Sequence, residues 1–124
     1  MIKRISRDEA GKHSLPGRVW HSYINPTDGV SERISLGVSV YPPGSRPEGH
    51  VHQAEEETIY CAAGRGRIVT PDETAEVWPG VVVHVSPGTF HATEADGPDQ
   101  AEASSFALMA SFLDALAAEL ARPA

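Results

Sequence analysis

The stretch Gly44-Ser-Arg-Pro-Glu-Gly-His50-Val-His52-Gln-Ala-Glu-Glu-Glu57-Thr-Ile-Tyr-Cys-Ala-Ala-Gly64 decides how this chain is read. A second stretch completes it downstream: Gly80-Val-Val-Val-His-Val-Ser-Pro87-Gly88-Thr-Phe-His91. In an extended strand, side chains at i and i+2 leave from the same face, so His50 and His52 are expected to project side by side. Glu57 and His91 follow at spacings that a β-barrel can close into the same site. Imidazole and carboxylate donors suit Fe, Mn, Ni, Zn or Cu, and neutral histidine is the commonest metal ligand. The expectation is one divalent transition metal per chain, held by His50, His52, Glu57 and His91.

Outward from these segments, the chain reads as short strands broken by Gly and Pro, as in a closed or sandwiched β fold. Ile34, Leu36, Val38 and Val40 alternate with Ser35, Gly37 and Ser39, the pattern of a half-buried strand ended by Pro42-Pro43-Gly44. Thr58 to Cys61 and Arg67 to Val69 flank a turn at Ala62 to Gly66, and Thr70 to Thr74 is a hairpin turn leading to Ala75 to Trp78. The apolar run Val81 to Val85 predicts a strand buried on both faces, with His84 inside it. The N-terminal part holds a strand around Arg18 to Ile24. One segment carries a helical period: Phe106, Met109, Phe112, Leu113, Leu116 and Leu120 recur at three- and four-residue steps. They predict an α-helix over about 104–121, with Ser104 or Ser105 as N-cap.

Both quoted segments resemble the two motifs of the cupin family. The first motif is similar to glycine, five residues, His-x-His, three or four residues, Glu, six residues, Gly. Gly44, His50, His52, Glu57 and Gly64 fall on it, across residues 44–64. Glu57 is preferred to Glu56 because it alone leaves six residues before Gly64. The second motif is matched by Gly80, Gly88 and His91, across residues 80–91, with Ser86 where proline is usual, Pro87 one place along, and Ala95 where an asparagine is usual. From composition, the first pattern arises by chance on the order of 4 times in 10,000. The resemblance implies a single domain over 1–124: an all-β, double-stranded β-helix (jelly-roll barrel) with the metal inside, here carrying the C-terminal helix as a local departure. It also implies a homodimer, and the segment around Arg18 to Ile24, an exposed edge if left alone, is the expected contact.

Four protein ligands on an octahedral ion leave two positions for water, substrate or O₂. Three neutral His and one carboxylate leave a formal charge near +1, which favours an anionic or oxygen-donor ligand. The expected partner is therefore a small molecule. The expected function is a metal-dependent enzyme on a small organic acid or sugar-derived carbonyl compound: a dioxygenase, lyase, isomerase or cyclase. The alternative is a non-catalytic small-ligand-binding or sensing cupin. Glu57 is a candidate general base, and Arg46, Gln53, His84 and Phe90 are candidate substrate contacts.

Composition bounds the rest. The chain has 124 residues, a net charge of −7 and one cysteine, Cys61. The acidic balance argues against nucleic acid and anionic membranes as partners. One cysteine excludes an internal disulfide and suits a reducing compartment. With no apolar run near the roughly 18 to 20 residues of a membrane span and no signal-peptide core, a cytoplasmic location is expected.

Overall fold

The structure is a computed structural model and describes residues 1–27, 30–31, 33–97 and 106–114. Among these, nine strands form and no helix does: β1 (Gly11–Leu15), β2 (Arg18–Ile24), β3 (Ile34–Tyr41), β4 (Glu55–Ala63), β5 (Gly66–Val69), β6 (Thr74–Val77), β7 (Val82–Val85), β8 (Ala92–Ala95) and β9 (Phe106–Asp114). A six-stranded sheet runs β1-β2-β3-β9-β4-β7 and a three-stranded sheet runs β6-β5-β8. Every registered strand pair is antiparallel. The core lies between the sheets: Tyr41, Ile59, Cys61, Val85, Phe106 and Leu108 come from the larger, and Ile68, Val77 and Ala95 from the smaller. No helix among the described residues is long and apolar enough to cross a membrane.

Four readings change at this level. The helix over 104–121 is replaced, across Phe106–Asp114, by strand β9; the rest of that segment lies outside the described residues. Phe106, Leu108, Ala110 and Phe112 also repeat every two residues, and this second period is the one used. Phe106, Leu108 and Ala110 are buried at 0, 2 and 6% exposure. β9 pairs with β3 on one side and β4 on the other, so both edges of its backbone are bonded. Two ladders and a buried face outweigh the helix propensity of its alanines and leucines.

β3 is a strand, but its inward side is not the apolar one. Gly37, Ser39 and Tyr41 are buried, while Leu36, Val38 and Val40 are only half-buried on the outer side. β7 likewise is not buried on both faces: Val82 is 57% exposed and Val85 is 6% exposed, so the run alternates. β2 is also not an edge. β1 pairs along it from Gly11↔Ser22 to Leu15↔Arg18, leaving β1 as the outer strand.

Candidate metal centre

The backbone brings the two motif segments together before any side chain does. His50 and His91 form an isolated antiparallel bridge, each N–H donating to the other's carbonyl at 2.9 Å. The Gly88 N–H donates to the His52 carbonyl at 2.8 Å. Gly88 takes φ +80°, a conformation open to glycine without strain, so the turn before His91 can reach back to His52. Close approach also explains Gly49. A Cβ there would come within 2.7 Å of both the His91 carbonyl oxygen and the Phe90 ring. The His50–His52 segment is thus held by cross-bonds in a loop, and not by the continuous strand inferred from its spacing.

Glu57 enters from another direction. It heads the inward row Glu57, Ile59, Cys61 of β4, with exposures of 5, 4 and 0%. Its neighbour Glu56 points to the opposite side of the sheet, where it meets His84 at 3.1 Å. The ligand-type atoms of His50, His52, Glu57 and His91 all lie within 4.8 Å of one another. Ligands about 2.1 Å from one shared ion sit at most ~4.2 Å apart, so closure requires movements on the order of half an ångström. The rings already pack edge to face, with centroids 4.7 Å apart for His50–His52 and 4.5 Å for His50–His91.

The polar atoms of this cluster suit a bound cation. His52 Nε2 is buried with no hydrogen-bond partner, and its nearest carboxylate oxygen, on Glu57, is 3.9 Å away. A buried nitrogen without a partner costs roughly 1 to 3 kcal/mol, and metal ligation would satisfy it. His91 Nδ1 donates to the Thr89 carbonyl at 3.1 Å, and Nε2 faces Glu57 Oε1 at 2.8 Å. Burial opposes charge on His91, but the bonds to Glu57 and Thr89, with the charge of Glu57, raise its pKa overall. His50 moves the other way: burial, then His91 and His52, lower its pKa despite Glu57. A neutral His50 is ready to ligate, and the Thr89 carbonyl orients His91 as a supporting bond does for a metal-bound imidazole.

These groups sit at one end of a cavity of about 480 Å³. Its walls come from β2 (Arg18, Trp20), β3 (Ser39, Tyr41), β4 (Ile59), β8 (Thr93) and β9 (Leu108, Ala110, Phe112), with Leu15 and Glu48 toward the mouth. Trp20 lies over Gly37, where a Cβ would overlap the indole, which is why β3 has no side chain at that point. Trp20 meets Phe112 edge-on at 6.1 Å, and Phe112 meets His52 at 4.9 Å.

The four candidate substrate contacts do not line this cavity. His84 lines a separate hollow with Ile68, Thr70 and Val83, and its side chain is 53% exposed. Its position on the outer side follows from the alternation of β7, which a reading of the valines as uniformly buried concealed. Arg46 bonds Glu94 at 3.3 Å and borders a second hollow beside the mouth. Gln53 is exposed, and Phe90 is 49% exposed against Gly49. The residues that do line the cavity, Arg18 and Trp20, share an i, i+2 step on β2 that carried the signal. Phe112 was hidden by its assignment to a helix.

Fold and site together define a small β-barrel with a His₃Glu cluster lining one end of a cavity. A family model described as a cupin domain matches residues 37–109, more than half of the chain, and the protein belongs to that family. An uncharacterized protein of Methanocaldococcus jannaschii is 30% identical over 78 residues, 63% of this chain and 62% of that protein. Quercetin 2,3-dioxygenase of Bacillus subtilis is 27% identical over 86 residues, 69% of this chain but only 26% of that enzyme. The chain thus spans less than two thirds of the length of either. Among solved structures, the polyketide cyclase RemF from Streptomyces resistomycificus superposes with a TM-score of 0.73 at 26% identity, covering 91% of this chain and 80% of that one.

Proposed function

We propose that the protein is a metal-dependent enzyme acting on a small organic acid or carbonyl compound, with His50, His52, Glu57 and His91 as the metal ligands. The observation that carries this reading is the buried His52 Nε2, partnerless inside a cluster whose donor atoms lie within 4.8 Å of one another. A divalent ion bound there supplies a Lewis acid for substrate oxygen atoms. The chain's own part is positional. His91 is held by the Thr89 carbonyl, Glu57 Oε1 is the atom through which a proton is held or passed, and the Trp20–Phe112 wall keeps water from the substrate. Relatives named for a polyketide cyclase and a quercetin dioxygenase support an enzyme over a sensing module.

The working form in this reading is a cytoplasmic homodimer. A row of apolar side chains, Val38, Met109, Tyr60 and Val82, crosses four paired strands on the outer side of the larger sheet. Met109 and Tyr60 are each 39% exposed and Val82 57%, a contiguous strip of the kind an interface covers. The buried free thiol of Cys61 suits a reducing compartment.

The test is metal analysis of untagged protein, then turnover of a panel of small acids with oxygen uptake followed. Bound metal with O₂ consumption marks a dioxygenase, and anaerobic turnover marks a lyase, isomerase or cyclase. Ligand binding without turnover marks a sensor, and protein that binds no divalent metal refutes the reading.

A further inference from the structure

Two arginines of the described residues are half-buried, and their surroundings differ sharply. Arg67 is ringed by carboxylates, with Glu76 at 3.4 Å, Glu94 at 3.4 Å and Asp96 at 3.0 Å. The Arg18 guanidinium has no ion pair and no hydrogen bond among the described residues. It lies on the inward side of β2, lining both the central cavity and the hollow at its mouth. Glu48 borders the same two spaces without pairing to it. A guanidinium withdrawn from water and left unpaired is a poor structural element and a ready receptor for an anion.

The wall between Arg18 and the histidines is apolar and largely aromatic. Trp20 follows Arg18 on the same side of β2, Phe112 stands edge-on to Trp20, and His52 stands edge-on to Phe112. These three rings are in continuous contact along the cavity, which Ile59 and Leu108 also line. A two-carbon diacid would leave that wall uncovered. A flat, ring-bearing molecule would cover it, and about 480 Å³ falls within the roughly 300 to 1,000 Å³ of organic-ligand sites.

We propose that the cavity takes a planar, ring-bearing acid whose oxygen donors lie at the His₃Glu end and whose anionic group is held by Arg18. The assignment rests on the metal-site reading for one end of the ligand only. Arg18 is then a specificity residue, with Trp20 and Phe112 as the surface on which the ring lies.

The experiment uses zinc-loaded protein, so that no redox turnover intervenes, and calorimetric titration with 3,4-dihydroxybenzoate, its neutral amide and oxalate. Wild type is expected to bind the acid about 10- to 100-fold more tightly than the amide, the range for losing one charge-assisted contact. Arg18→Gln should abolish that preference with zinc content unchanged, Arg18→Lys should retain part of it, and Trp20→Ala should weaken acid and amide alike. A preference that survives Arg18→Gln, or oxalate binding as tightly as the ring acid, overturns the proposal. The two readings also fail separately. Zinc bound with no affinity for either ring compound sinks this inference and spares the metal site. A ring acid bound through Arg18 by protein that takes up no zinc does the reverse.

Discussion

Replacing His52 and His91 by alanine, one at a time, separates a ligand held ready for metal from one that also supports the fold. In the metal-free protein His52 Nε2 is buried without a partner. Deleting the ring therefore relieves roughly 1 to 3 kcal/mol of unsatisfied polarity. Against this stands the lost packing on Phe112, about 1 to 2 kcal/mol for a ring whose side chain is 28% exposed. The two terms nearly cancel, so metal-free His52→Ala should lie within about 1 kcal/mol of wild type. His91 is different. It is 1% exposed, donates to Thr89, and holds the only hydrogen bond found for the Glu57 carboxylate among the described residues. His91→Ala leaves that carboxylate buried and alone, which costs about 3 to 5 kcal/mol. Metal reverses the ranking for His52. At a free ion concentration 100 times its Kd, wild type gains about 2.7 kcal/mol, and His52→Ala should gain almost none. Urea denaturation with chelator, repeated with zinc, reads both quantities. The reasoning is refuted if metal-free His52→Ala loses 2 kcal/mol or more, or if the variant keeps the wild-type gain on adding zinc.

Other outcomes follow from the same geometry. His84→Ala should leave metal content unchanged by elemental analysis, because that ring meets Glu56 on the outer side of the sheet. Cys61 is fully buried, and burial pushes its thiol pKa up, so a thiol reagent at neutral pH should label it only as fast as the protein opens, and rapidly in denaturant. Met109→Lys or Val82→Lys should shift the mass seen by light scattering from two chains to one of 13.2 kDa, with metal binding retained. A single-chain mass for the unaltered protein would defeat the dimer, and a dimer unaffected by both changes would place the contact elsewhere.

The cluster of His50, His52, Glu57 and His91 is readable from sequence because the elements that assemble it are local. Gly49, Gly88 and the two histidine segments solve a backbone problem, the close cross-bonding of His50 with His91, and the residues that solve it sit beside the ligands. The cavity walls have no such marker. Arg18, Tyr41 and Phe112 stand on β2, β3 and β9, and only strand pairing between residues distant in the chain sets β9 between β3 and β4. β9 also carries two periods at once. Phe106, Met109, Phe112 and Leu113 satisfy a helix, and Phe106, Leu108, Ala110 and Phe112 satisfy a strand, so the local pattern cannot choose between them. The choice lies in the open ladders of β3 and β4, which are properties of the assembled sheet.

The same ambiguity explains the inversion of β3. A period-2 pattern identifies a strand but not which of its sides meets the interior, and the apolar side is the natural guess. Here β3 faces a cavity over part of the interior of the larger sheet, so its lining there is Ser39 and Tyr41, with Gly37 beneath Trp20. The valines are free to face outward, where Val38 joins Met109, Tyr60 and Val82 in one apolar row. On the proposed reading, the small and polar residues of the inner side and the large apolar ones of the outer side have a common cause: one side leaves room for a ligand, and the other offers a surface for a second chain. The outward row is therefore an indirect mark of the cavity behind it. Filling the cavity from within tests that link: Ser39→Leu should narrow the space beside Trp20 and weaken ring-acid binding, while leaving the mass in solution unchanged.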